Sequence, residues 1–292
     1  MSLEPIPRGL AAGNAGLLIR RRRNVLGGLG LSLGYSVSWL SLLVLLPLSM
    51  VFVTMTGQSL GALWKVVTSR QVLSAVRLSF WTAAAGGAIS SVCGALLAWV
   101  LVRYRFPMKR LVDALVDLPF ALPTAVAGVT LSVLVGPTGW IGKPLAALGV
   151  TLVNVPFGIV IAMIFIGVPF VVRTLQPVLQ DLETEMEDAA ESLGASRRQV
   201  ISKVILPTLE PALITGFTMA FSRALGEYGS VIFMTGNLPF KTEIAPVIIK
   251  AKMDNAAYAS AATVAAEMLV ASFLLLVALS WLQNWQRRRT QG

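Results

Sequence analysis

The 292-residue chain is 55% hydrophobic with only 13% charged residues, and its mean hydropathy is +0.75. Soluble domains carry roughly a quarter charged residues, so this composition excludes an ordinary water-soluble domain and requires hydrocarbon as the solvent for most of the chain. The net charge of +10 comes from 24 Lys and Arg against 14 acids, but the cations lie between apolar runs, where they act as topology signals and lipid headgroup contacts and argue against a nucleic-acid partner.

Residues 1–32 carry Arg8 and the four arginines at 20–23, and form a predicted N-terminal tail. A long apolar run follows without a small-residue cleavage site, which reads as an uncleaved first span. A helix that crosses a bilayer needs about 20 mostly apolar residues. Six segments reach that length: 33–53, 78–102, 118–135, 152–172, 212–233 and 261–282. Residues 283–292 form a predicted C-terminal tail. Lys and Arg in the connections number 16 on the side of both termini and 7 on the other, which places both termini in the cytoplasm.

The second segment is crowded with small residues, from Ala83 through Ala88 and again at Gly94 and Ala95, as close helix–helix approach requires. Pro119 and Pro123 open the third segment, and Pro156 and Pro169 bracket the fourth. Such breaks suit a solute pathway, whose water resatisfies the backbone, and suit ordinary kinked packing equally.

Within the connection between the fourth and fifth segments, residues 181–191 hold six of the fourteen acids: Asp181, Glu183, Glu185, Glu187, Asp188 and Glu191. On a helix, Leu182, Met186, Ala189, Ala190 and Leu193 form one apolar stripe. Gly194 is placed to stop that helix. Ser196 and Gln199 make a capping box that starts a second one, which Val200, Val204 and Ile205 line until Pro207 ends it. The first helix carries like-charged i, i+4 pairs and no lysine, an arrangement that suits docking into a groove on another protein, or else a solvated surface helix.

The stretch Asp188-Ala189-Ala190, then Gly194, then Val204-Ile205-Leu206-Pro207 resembles the EAA loop of ATP-binding-cassette (ABC) importer permeases, with Asp188 and Val204 in place of the usual Glu and Ile. The resemblance implies an all-α integral membrane protein of six transmembrane helices with the fold of a type I ABC importer permease. It also implies that residues 181–207 hold a coupling helix that docks on an ATPase subunit. Glu187, Asp188, Ala189, Ala190, Gly194, Leu206 and Pro207 are its expected docking residues. ATP and Mg would belong to two partner ATPases, since this chain has no Gly-rich phosphate loop.

Arg223 and Glu227 lie in the fifth apolar segment and Glu267 in the sixth. A charge at the centre of a membrane helix costs about 2.5–3.5 kcal/mol on insertion scales, so Arg223 and Glu227 should face protein. Arg223 either faces a pathway and offsets a passing dianion, or closes an ion pair that ties the fifth and sixth spans, with Glu267 competing for it. The run from Arg223 to Val231, followed by Gly236-Asn237-Leu238-Pro239-Phe240-Lys241-Thr242-Glu243-Ile244, resembles the sulfate/thiosulfate permease family in its CysT-type subunits. Molybdate permeases share the Arg-Ala-x-Gly-Glu core, so a molybdate or tungstate importer is the alternative, and an ion-coupled secondary anion transporter is the alternative of another class. The resemblance implies a second homologous permease, two ATPases, a periplasmic sulfate-binding protein, surrounding lipid, and a place in the bacterial inner membrane. With no histidine, the single Cys93 inside an apolar run and no clustered intramembrane carboxylates, an enzyme and a cofactor held by this chain are not expected.

Overall fold

A computed structural model describes residues 29–182 and 184–290, with side-chain surroundings as far as 281. The arginines at 8 and 20–23, Glu183 and the side chains of Arg287, Arg288 and Arg289 lie outside the described residues.

Among the described residues, five helices are long and apolar enough to cross a membrane. The first, α1 (Leu29–Met55), carries Pro47 within it. A short amphipathic helix, α2 (Leu60–Val67), is capped by the Ser59 side chain and leads to α3 (Arg70–Arg103), a 34-residue helix capped by Ser69. The short α4 (Lys109–Val116) and α5 (Leu118–Ala121) then precede α6 (Thr124–Val135). The expected third span is therefore two pieces: α6 has only 12 residues, because Pro123 cannot continue the hydrogen-bond ladder from α5.

The turn-like α7 (Gly142–Ala147) leads to α8 (Pro156–Asp181). Pro156 starts α8 as expected, but Pro169 and Pro177 lie inside it, so the fourth span runs nine residues beyond the expected end at Val172. Next come α9 (Thr184–Ser192), α10 (Arg197–Val200), a π-helical turn (Ile201–Ile205) and α11 (Leu206–Leu225). The fifth span is likewise broken: α11 stops at Leu225 and the chain resumes as α12 (Gly229–Met234). Finally α13 (Ala245–Asp254) precedes α14 (Tyr258–Thr290), which carries helix through most of the expected C-terminal tail.

From Ser49 onward the chain forms one unit whose centre is α3, α8 and α11. The small residues of α3 meet α8: a Cβ on Gly86 would lie 2.7 Å from the Met163 Cβ, and one on Gly94 2.7 Å from the Val171 Cβ. Val171, Val172, Leu175 and Leu179 of α8 are buried against Ala98 and Leu101 of α3 and Leu209 of α11. Hydrocarbon gives no hydrophobic drive for helices to associate, so this van der Waals fit must hold α3 to α8. Gly94→Ala is accordingly expected to cost about 1–2 kcal/mol through overpacking, read as a lower Tm of the detergent-solubilised permease.

Candidate functional site

Two regions collect the residues that the sequence singles out. The first is the loop from α8 to α11. Gly194 ends α9 in the left-handed region at φ +85°, and the Ala195 N–H donates to the Ala190 carbonyl at 3.0 Å, the closing bond of a Schellman-type stop. The Ser196 N–H donates to Gln199 Oε1 at 2.7 Å within a complete capping box. Both local signals thus act where the sequence puts them.

Pro207 does not. The second helix does not end there but runs on through the π turn into α11, with Pro207 in the first turn of α11. The Leu206 N–H reaches back five residues to the Ile201 carbonyl. A π turn at this point shifts the preceding carbonyls, which accommodates a proline ring that a regular α-helix would reject.

The face of α9 divides. Met186 and Leu193 are 49% and 89% exposed, and Glu185, Asp188, Ala189 and Glu191 are exposed with them. Leu182 is buried and Ala190 half-buried on the body of the protein. Glu187 turns the other way, at 7% exposure. Its Oε1 accepts from Arg103 Nη2 at 2.5 Å, and its Oε2 lies 3.7 Å from Arg197 Nη1. Arg197 also reaches Glu191 at 3.3 Å. The expectation that these acids lack cationic partners is therefore corrected for both: the cations come from α3 and α10, outside the helix on which i, i+4 pairing was sought.

The second region is the break between α11 and α12. Arg223 Nη1 donates to Glu227 Oε2 at 2.6 Å, an i, i+4 pair. Glu227 Oε1 accepts from the Ser230 N–H at 3.0 Å and from the Ser230 hydroxyl at 3.2 Å. The carboxylate thus holds the first turn of α12 while it fixes the arginine. Its side chain is 2% exposed whereas that of Arg223 is 38% exposed, with guanidinium donors to spare. The pair closes within the fifth span and does not tie it to the sixth. Glu267 does not compete for the arginine, and its Oε2 is buried with no hydrogen-bond partner. Opposite the break, α6 lies against α12: a Cβ on Gly128 would come 2.5 Å from the Ser230 carbonyl, so only glycine lets the two half-helices meet there.

A cluster that the sequence does not reveal joins α4 and α5 to α8. Arg173 donates from Nε and Nη2 to Asp117 at 2.8 and 2.6 Å, from Nη1 to Asp113 at 2.7 Å, and from Nη2 to the Asp113 carbonyl at 2.9 Å. Gln176 donates to Asp113 at 3.0 Å. The Asp113 carboxyl is held below its ordinary 3.8, first by the Gln176 bond and then by Arg173. In the sequence Arg173 is one of many basic residues flanking a span, and its partners stand 56 and 60 positions away. Among the described residues no three of His, Cys, Asp and Glu come together as a metal site would need.

The chain is 45% identical to the sulfate transport system permease protein CysT of Escherichia coli over 270 residues, 92% of this chain and 98% of that one. It is 45% identical over 253 residues to a protein of the same description from Synechocystis, covering 87% and 88%. Among solved structures, the fold matches a chain of a bacterial ABC transporter involved in the import of the acidic polysaccharide alginate. That match has a TM-score of 0.70 at 15% identity and covers 88% of this chain and 94% of that one. A methionine ABC transporter in inward-facing conformations matches at 0.52 with 19% identity, over 80% and 99%. Residues 90–292 match the family model of the binding-protein-dependent transport system inner membrane components. Agreement of family model, near full-length relatives and fold makes this all-α chain a transport permease, and it belongs to the binding-protein-dependent inner membrane components of ABC importers.

Proposed function

We propose that this chain is the permease subunit of an ATP-driven importer that carries sulfate and thiosulfate across the inner membrane. The observation that carries the reading is the 45% identity to a sulfate permease sustained over 92% of the chain. Molybdate and tungstate are the alternative cargo, and an ion-coupled secondary transporter is disfavoured by membership of an ABC importer family.

In this reading both termini and α9 lie in the cytoplasm. The exposed face of α9 around Met186, Asp188, Ala189 and Leu193 docks on an ATPase subunit, which holds the ATP and Mg. Gly194, Leu206 and Pro207 shape the loop that presents it. This chain pairs with a second, homologous permease, with one ATPase beneath each, and a periplasmic sulfate-binding protein delivers the anion. ATP binding drives the ATPases together and opens the pathway toward the binding protein, and hydrolysis resets it. Arg223, aimed by Glu227 and half-exposed at the α11–α12 break, offers its remaining N–H donors to the dianion as it passes. A weak, transient contact suffices, because capture takes place on the binding protein.

Uptake of radiolabelled sulfate by cells with and without the gene tests the proposal. Uptake is expected to disappear with the gene, and unlabelled thiosulfate is expected to compete at least tenfold better than molybdate. Unchanged sulfate uptake with lost molybdate uptake would transfer the chain to the molybdate importers.

A further inference from the structure

The backbone joins α9 to α8 on one side and, through α10 and the π turn, to α11 on the other. A third link is made by side chains alone. Arg103, the last residue of α3, holds Glu187 at 2.5 Å with the two side chains 17% and 9% exposed. The same guanidinium lies over the Trp99 ring, its Cζ 5.4 Å from the centroid, which fixes its direction along α3. Its Nε is buried without an acceptor, so Glu187 is the group that holds the guanidinium in place. An ion pair this far out of water resists separation, because parting the charges leaves an uncompensated one behind. Nor can α3 slide on α8, since Gly86 and Gly94 bring the backbone of α3 against Met163 and Val171.

We propose that the Arg103–Glu187 pair is a strut that makes α9 move as one body with α3 and α8, so that a displacement of α9 reaches the centre of the bundle. The inference rests on the reading of α9 as the ATPase-docking helix. Glu187 is then a positioning residue. It faces away from the exposed surface of α9 and acts by holding that surface in register with α3.

The test uses the assembled complex in proteoliposomes, with ATP hydrolysis and sulfate uptake measured together. Glu187→Gln is expected to leave assembly intact and hydrolysis running, while uptake per ATP falls at least tenfold. An Arg103→Cys/Glu187→Cys pair, made with Cys93→Ser, is expected to show the same loss. A short bifunctional methanethiosulfonate, which forms a reducible disulfide with each thiol, is expected to restore most of the uptake when it bridges that pair. The strut is overturned if either variant keeps full uptake per ATP, or if the bridge arrests uptake that reduction then recovers, since α9 must in that case part from α3 during the cycle. Loss of the ATPase from the Glu187→Gln complex also overturns it, by assigning Glu187 to the docking surface. If the unmodified permease retains no ATPase, the docking reading itself fails, and that is seen before any variant is made.

Discussion

Arg223→Met is expected to abolish sulfate uptake and to destabilise the folded permease by about 3–5 kcal/mol, the cost of stripping a buried carboxylate of its cation. The carboxylate in question, on Glu227, is 2% exposed and has only Ser230 left to bond it. Because the same group holds the first turn of α12, its loss of charge balance is expected to loosen the α11–α12 break as well. The double variant Arg223→Met/Glu227→Leu separates structure from transport. Replacing a buried ion pair with apolar residues of similar volume is often neutral for stability, but Glu227→Leu also leaves the buried Ser230 N–H and hydroxyl without an acceptor, so its Tm is expected to recover only part of the loss. Its uptake is not, since no donor then faces the passing dianion. Arg223→Lys keeps the charge but loses the planar fork, and is expected to retain a small fraction of uptake. Thermal unfolding in detergent, read beside uptake in cells with matched membrane levels, checks all three. Normal uptake by the double variant would reduce the pair to a structural role.

Arg173→Ala is the second large effect. Four hydrogen bonds from one guanidinium hold α4 and α5 to α8. Its two carboxylate partners are 43% and 46% exposed and rehydrate when the arginine is removed. The loss is therefore expected near 2 kcal/mol, well below the sum of four charged bonds. Protonation of Asp113 gives a second handle. Its carboxyl titrates lower in the folded state than the ordinary 3.8, so the folded form favours the charged carboxylate. The stability that this contributes is fully present above the ordinary value and is lost as pH falls through the folded one. The permease is thus expected to lose Tm as pH falls below 3.8, and Gln176→Ala or Arg173→Ala is expected to flatten that part of the profile.

The sequence by itself determined the solvent of this protein, its helical class and the places where its helices start and stop for local reasons. Apolar runs of about 20 residues report lipid whatever their neighbours do, and 33–53, 78–102, 152–172 and 261–282 all lie within or overlap long helices. The stop at Gly194 and the box at Ser196 and Gln199 were equally legible, because each is completed within about five residues of chain. Hydropathy, however, sums apolarity and is blind to a break whose cost is met from elsewhere. The chain leaves the helix at Gly226 because Arg223 and Ser230 satisfy Glu227 and because Gly128 of α6 admits the backbone of α12. Pro207 looked like an end because a proline normally is one; the π turn before it made it a continuation. The inward turn of Glu187 depended on Arg103, 84 residues earlier, and the Arg173 cluster on acids 56 and 60 residues away. A charge out of water must find its partner wherever the fold delivers one, and only the tertiary packing of α3, α8 and α11 decided which charges met.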